Sequence, residues 1–280
     1  MYKSLIFNLK NPHKIPLKIL SKIFFWYKRS VYKTEVFISD QNKKFEKINF
    51  NRNNAKKKLD SLKQKYDFLT REMSSEHELL FTSISIYSKI KINNILEIGT
   101  FDGVNAFLLS QLFKDSKIDT IDLKSNEEDF KNFYNRKNNI KDFLNKRDSL
   151  LSENSNIKYK DLNSVKLTFS KKKYDLIWID GAHGYPVCCI DIINSVKLIN
   201  SNGYIIIDDI SLESENNDRM YDSIAGYETL KELEKNKLIE LHLFYKRLDA
   251  NSNCVEKKIT YVALIKLSDQ KSNEYEWLKL

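Results

Sequence analysis

Between residues 74 and 267, short apolar runs alternate with segments whose apolar residues recur every three or four positions. Short apolar runs are typical of buried strands, whereas the wider spacing is typical of helices. The runs predict five strands, at residues 95–98, 117–123, 157–160, 174–180 and 204–207. Helical spacing predicts helices from Val104 and from Val187. Strands that alternate with helices indicate an α/β fold with a parallel sheet.

A turn at Asn202-Gly203 is predicted to precede the fifth strand. After that strand the strand–helix alternation ends. Residues 223–235 have helical spacing, and two β-rich runs follow at 238–245 and 259–267. A parallel crossover needs a dozen or more residues and usually a helix. The polar loop between these two runs therefore favours an antiparallel hairpin at the end of the sheet.

The first 73 residues do not follow the strand–helix alternation. Residues 1–30 mix basic and bulky apolar side chains, which is typical of an amphipathic helix, and Pro12 and Pro16 place its start at about Ile15 or later. Such a helix either lies on an anionic membrane surface or packs on the protein body or a second subunit. Residues 40–73 predict a solvated connecting helix.

A helix is predicted to open the main domain. Ser74 or Ser75 followed by Glu78 is a capping-box pattern, and the helix leads directly into the first strand. We therefore divide the chain into a basic, helical N-terminal extension (1–73) and a main domain (74–280). His77 is interpreted as a surface or capping residue.

Composition narrows the function classes. The net charge of +9 comes from residues 1–60, which hold 15 Lys and Arg against 4 Asp and Glu, so the main domain is not a basic surface for nucleic acid. No apolar run reaches the roughly 18 residues of a membrane span. An odd number of cysteines without metal-ligand spacing, and no evident secretory signal, favour a cytoplasmic protein.

The loop from Gly99 to Gly103 joins the first strand to a helix. A glycine loop at this point presents free backbone N–H groups and a positive helix end to a polar or anionic ligand. The loop lacks the patterns of P-loop and dinucleotide sites. Asp122 ends the second strand and is predicted to bind ribose hydroxyls. Asp161 or Asn163, after the third strand, is the candidate for an adenine amino group.

Three further carboxylates follow the fourth and fifth strands: Asp180, Asp208 and Asp209. In an open parallel sheet, ligands bind beyond the carboxyl ends of the strands, so these groups are expected to converge. Uncompensated, they would repel one another. A hard divalent cation such as Mg²⁺ would neutralise them and could lower the pKa of a substrate hydroxyl.

Two motifs resemble those of known methyltransferases. Glu97, Gly99 and Gly103 are spaced as in the first motif of class I S-adenosylmethionine-dependent methyltransferases, whose Rossmann-like sheet has five parallel strands and a terminal antiparallel hairpin. Residues 179–185 with 207–209 resemble the Asp-Gly-x-His-x-Tyr and Asp-Asp signatures of metal-dependent sugar O-methyltransferases of the macrocin and aminocoumarin type and of cephalosporin-hydroxylase-like proteins.

The resemblance implies a set of site residues. Asp180, Asp208 and Asp209 would bind the metal, and His183 or Asp180 would be the base at the accepting hydroxyl. The cofactor would be held by Glu97, Gly99, Thr100, Phe101, Gly103, Asn105, Asp122 and Asp161.

We therefore expect a metal-assisted, S-adenosylmethionine-dependent O-methyltransferase that acts on a sugar, a glycan or another small hydroxylated molecule. A homo-oligomer and a peripheral membrane contact through residues 1–30 are further expectations. The main alternative is a non-catalytic membrane- or complex-associated protein that keeps the fold. A nucleic-acid methyltransferase is disfavoured, because the chain lacks the Asn/Asp-Pro-Pro-Tyr/Phe signature for an extruded base.

Overall fold

A computed structural model describes residues 15–70, 75–128, 130, 139–213, 223–249 and 259–268. Its centre is a seven-stranded sheet with the spatial order β3-β2-β1-β4-β5-β7-β6. The strands are β1 (Asn94–Ile98), β2 (Lys117–Asp122), β3 (Ile157–Asp161), β4 (Tyr174–Ile179), β5 (Ile199–Ser211), β6 (Ile239–Tyr245) and β7 (Thr260–Leu267). Strands β1 to β5 pair in parallel, and β7 pairs antiparallel with both β5 and β6.

This arrangement confirms the predicted Rossmann-like sheet with its terminal antiparallel hairpin. The fifth strand is longer than predicted, since β5 already begins at Ile199 and includes Asn202-Gly203. The pairing of β4 with β5 shifts register there, from Tyr174–Ile199 to Leu176–Tyr204, so the predicted turn is an irregularity within the strand.

Helices cover both faces of the sheet. They are α1 (Ile15–Val31), α2 (Thr34–Lys47), α3 (Arg52–Lys65), α4 (His77–Tyr87), α5 (Val104–Leu112), α6 (Ile140–Ser152), α7 (Val187–Leu198) and α8 (Ala225–Lys235), with short 3-10 turns at Asp67–Leu69 and Ser164–Phe169. Alternate side chains of β4 enter two separate cores: Leu176 and Trp178 pack on one face, Ile177 and Ile179 on the other.

The N-terminal helices α2 and α3 belong to the first of these cores. Phe45 of α2 is fully buried and meets Phe244 of β6 edge to face, with ring centroids 4.9 Å apart. Leu59 of α3 and Leu69 are also buried. The prediction of a solvated connecting helix is therefore wrong for its apolar stripe, which packs in this core, whereas its charged residues 56–58 are exposed. The division of the chain at residue 73 stays a prediction.

Two local expectations are corrected at the start of α4. The helix begins at His77 without a side-chain cap, so Ser75 and Glu78 form no capping box; Ser74 lies outside the described residues. His77 is 3% exposed, and its ring stacks on Trp178 with centroids 4.7 Å apart. It is therefore a core residue, and the interpretation as a surface residue is wrong.

Helix α1 begins at Ile15, as predicted, and carries an exposed apolar surface. Five large apolar side chains are more than half exposed: Ile23, Phe24, Trp26, Tyr27 and Val31. Within the described ranges, no helix is long and apolar enough to cross a membrane. Membrane contact and subunit packing both remain predictions for this surface.

Truncation of Phe45 tests whether α2 is part of the folded core. Phe45→Ala should lower the free energy of unfolding by about 3–5 kcal/mol, because it leaves a cavity against Phe244. Phe169→Ala is the control, since Phe169 is 86% exposed and its loss should change stability little. Urea unfolding measures both. Equal small effects would show that α2 does not contribute to the core.

Candidate active site

The ends of β1 and β4 are in direct backbone contact at Gly99. Gly99 has a φ of 99°, which L side chains rarely adopt, and a Cβ there would lie 2.2 Å from the carbonyl oxygen of Asp180. The Asp180 N–H donates to the Ile98 carbonyl at 2.9 Å. The glycine loop and Asp180 therefore occupy the same edge of the sheet, as the order of the strands predicted.

Glu97 and Thr100 support the loop from within the sheet. Glu97 is fully buried and accepts a hydrogen bond from the Thr120 hydroxyl, which is 2.6 Å from the Thr100 hydroxyl. Gly103 begins α5 in the left-handed region, at a φ of 80°, and a Cβ there would lie 3.0 Å from Leu151. These three residues set the shape of the loop by internal contacts.

Asp122 ties the loop to the second strand. Its two carboxylate oxygens accept the backbone N–H groups of Phe101, at 2.9 Å, and of Leu123, at 2.8 Å. Asp161 pairs in register with Asp122 on the neighbouring strand, is exposed, and accepts a hydrogen bond from Tyr159 at 2.6 Å. Both predicted nucleoside-binding acids thus lie at adjacent strand ends, and their roles toward a cofactor stay predictions.

A bulge in β5 directs the carboxylates of two successive residues, Asp208 and Asp209, toward the same region. Ile207 pairs with Ala263 and Ile210 with Tyr261, so β5 has one extra residue between these pairs. Asp209 has a φ of 52°, in the left-handed region. In a regular strand, successive side chains point to opposite faces. The bulge removes this alternation for Asp208 and Asp209.

Lys246 follows the end of β6 and contacts both carboxylates. Its Nζ is 2.7 Å from Asp208 Oδ2 and 2.5 Å from Asp209 Oδ1. Burial alone would lower the pKa of Lys246, but Asp208 and Asp209 outweigh it and raise that pKa. Burial would raise the pKa of Asp208, but Lys246 outweighs it and holds that pKa below its usual value. Both shifts favour the charged forms of Lys246 and Asp208.

Asp180 and His183 complete this acidic cluster. His183 Nε2 is 3.7 Å from Asp180 Oδ1 and 3.5 Å from Asp209 Oδ2. The pKa of Asp180 is raised well above its ordinary value, first by burial and then by repulsion from Asp208. The structure thus brings together Asp180, His183, Asp208 and Asp209, as the sequence predicted.

Two residues at the site, His77 and Lys246, were not among those predicted for it. His77 Nε2 is 3.3 Å from the side-chain oxygen of Asn105, and burial lowers the pKa of the imidazole. Asn105 is thus held at the start of α5 by a residue from α4. Lys246 could have been suspected because it directly follows the strand predicted at 238–245. Nothing in the pattern around His77 indicates its burial.

The described residues do not fit the predicted Mg²⁺ ion. The Lys246 ammonium already lies between Asp208 and Asp209, where an ion shared by them would bind. Asp208 Oδ1 is buried without a described hydrogen-bond partner, but a magnesium ion prefers about six oxygen ligands. Over the described parts of the chain, no group of three or more His, Cys, Asp and Glu residues is arranged to hold a metal.

A cavity of about 230 Å³ lies between α3, the start of α4 and the segment after β6. Lys246 is part of its wall. Most of the lining side chains are charged: Arg52, Lys56, Asp60, Lys63, Glu76, Glu78, Lys246, Arg247 and Asp249. Helix α3 therefore forms one wall of this cavity, opposite the start of α4.

A comparison with known families matches part of the main domain. Residues 96–210 match the family model described as a methyltransferase domain. This match supports the class I S-adenosylmethionine-dependent methyltransferase that the first motif predicted. No curated protein sequence matches the chain.

Three solved structures illustrate the likeness. The O-methyltransferase TomG from Streptomyces achromogenes, in complex with S-adenosylmethionine, is 14% identical, with 85% of this chain and 100% of that chain covered and a TM-score of 0.48. The methyltransferase PaMTH1 of Podospora anserina, bound to S-adenosylhomocysteine, is 15% identical, with 69% and 79% covered and a TM-score of 0.46. An rRNA methylase from Streptococcus thermophilus is 10% identical, with 64% and 88% covered and a TM-score of 0.43. Likenesses this low decide nothing about the acceptor.

Two glycines provide a matched test of the loop geometry. Gly99→Ala should lower the free energy of unfolding by at least about 2 kcal/mol and abolish binding of S-adenosylhomocysteine, because the new methyl group meets the Asp180 carbonyl at a strained φ. Gly181→Ala should be mild, since its Cβ would make ordinary contacts of 3.4 Å and longer. Chemical unfolding and calorimetry measure both. Similar losses for the two variants would contradict this account.

The buried carboxyl of Asp191 in α7, which faces the loop after β4, should make the free energy of unfolding depend on pH. It is fully buried, and burial raises its pKa to about 7, although Ser164 opposes the shift. Because the folded pKa lies above the unfolded one, the protein should lose stability as the pH rises from about 4 to 7. Asp191→Asn should remove that loss, so its stability relative to the natural chain should be higher at pH 8 than at about pH 5.5. An equal difference at both pH values in urea unfolding would exclude this effect.

Proposed function

We propose that this protein transfers a methyl group from S-adenosylmethionine to a hydroxyl group of a small acceptor, a sugar or part of a glycan. The methyltransferase domain supports the reaction class. One observation supports the acceptor class: Lys246 belongs both to the acidic cluster and to the wall of the charged cavity. An acceptor in that cavity would lie against Lys246, whose ammonium group contacts Asp208 and Asp209.

The cavity suits a polar acceptor in size and lining. A volume of about 230 Å³ is of the order of one or two sugar rings. Its charged side chains are held in place by ion pairs, such as Arg52 with Glu76 and Lys63 with Glu78, each at 2.6 Å. Charged side chains of this kind give the cavity a polar lining, which suits the hydroxyl groups of a sugar better than an apolar acceptor.

The residues of the cluster have distinct roles in the proposed reaction. S-adenosylmethionine supplies an electrophilic methyl group. His183, or Asp180 beside it, accepts the proton of the acceptor hydroxyl as the oxygen attacks. Asp209 lies 3.5 Å from His183 and would stabilise the imidazolium that this transfer creates. The glycine loop and the cavity would hold the two reactants in line, and this positioning supplies much of the rate enhancement.

Two histidine variants test the proposed base. His183→Gln should lower methyl transfer by about 100-fold or more, while binding of S-adenosylhomocysteine stays within a factor of about two, because the imidazole acts on the acceptor proton. His242→Gln on β6 is the matched control and should retain activity. The assay follows S-adenosylhomocysteine release with a panel of monosaccharides, nucleotide sugars and oligosaccharides.

Three outcomes would contradict the proposed function. The first is equal loss of activity in the two histidine variants. The second is absence of S-adenosylhomocysteine binding by the natural chain in calorimetry. The third is turnover with oligonucleotides or proteins and with no member of the sugar panel.

A further inference from the structure

The position of Lys246 is fixed by its backbone as well as by its side chain. Its N–H donates to the Thr260 carbonyl, and its own carbonyl accepts from the Glu76 N–H, both at 3.0 Å. The residue is 6% exposed. Lys246 is therefore held between β7 and the start of α4, unlike a surface lysine that swings freely in solvent.

The bulge in β5 presents two carboxylates to this single ammonium group. One oxygen from each carboxylate is within 2.7 Å of Nζ. A magnesium ion bound to the same two oxygens would need them about 2.1 Å from a common centre. An ammonium group and a metal ion cannot occupy that centre together, because both are cations and each requires the space.

We propose that Lys246 takes the place of a divalent cation in this acidic cluster, so that the enzyme works without a metal. The inference rests on the proposed function for its catalytic part. The ammonium group neutralises Asp208 and Asp209 and keeps their carboxylates in one arrangement. An ammonium has three N–H donors, of which the two carboxylates take two.

Replacement of Lys246 by an uncharged residue should change how Asp208 and Asp209 interact with metal ions. Without the ammonium group, Asp208 and Asp209 become two close carboxylates with no counter-charge, and a divalent cation is the group best suited to relieve their repulsion. Removal of the lysine should therefore create a metal site that the natural chain lacks. A lysine with a merely structural role would not produce this gain.

Binding of Mn²⁺ tests the inference directly, by electron paramagnetic resonance on the full chain. The natural protein should bind no Mn²⁺ at the cluster, and Lys246→Ala should bind one ion per chain. Lys246→Ala combined with Asp209→Asn should lose that ion. Lys246→Arg, which keeps the charge, and Lys266→Ala, which removes a lysine elsewhere on the sheet, should behave as the natural chain. Lys246→Met keeps the length of the side chain and replaces the alanine variant if that one does not fold.

Activity provides the second readout. Methyl transfer by the natural protein should be unchanged by EDTA. Lys246→Ala should lose at least about tenfold in rate, and added Mg²⁺ or Mn²⁺ should restore part of it, because the ion replaces the missing charge. This readout requires a methyl acceptor, whereas the Mn²⁺ experiment does not, so a failure of the proposed function leaves the metal result intact.

Two results would overturn the inference. The first is binding of one Mn²⁺ ion by the natural chain that disappears in Asp209→Asn, together with loss of activity in EDTA. The second is a folded Lys246→Ala or Lys246→Met protein that binds no Mn²⁺, because the two carboxylates would then need no counter-cation.

Discussion

The close approach of Gly99 to the Asp180 peptide is the contact on which the site depends. It brings the end of β1 within van der Waals range of the end of β4, and any side chain at position 99 would separate them. Because the sheet is parallel here, the same edge also holds Asp122, on β2, and Asp208, on β5. The glycine thus joins a loop suited to a cofactor with groups suited to acid–base chemistry.

Charge balance is the second constraint at this edge. Asp180, Asp208 and Asp209 lie close together, and a buried group of like charges is costly unless it is paired. Lys246 supplies the counter-charge from the segment that follows β6. The cost of desolvating these groups is met by their mutual attraction, and the removal of one partner would leave the others unpaired in a poorly hydrated place.

The N-terminal helices link this edge to the remainder of the molecule. Gln41 of α2 donates to the Tyr245 carbonyl and accepts from its N–H, so α2 holds the residue before Lys246. Arg52 of α3 forms two hydrogen bonds with Glu76, whose N–H in turn binds the Lys246 carbonyl. The same helices that fill one face of the core thereby position the lysine, and α3 also forms one wall of the cavity.

The sequence by itself determined the sheet and the acidic strand ends. Apolar runs of strand length, the Gly99–Gly103 loop and the acids that follow each strand are local patterns, and parallel pairing then brings their carboxyl ends to one edge. It did not determine the counter-charge, because Lys246 lies 37 residues after Asp209 in the chain and meets it only through the β6–β7 pairing. The burial of His77 and of the polar helices α2 and α3 was likewise decided by tertiary packing. The sequence of a short helix, or of a single histidine, does not show which other part of the chain will pack against it.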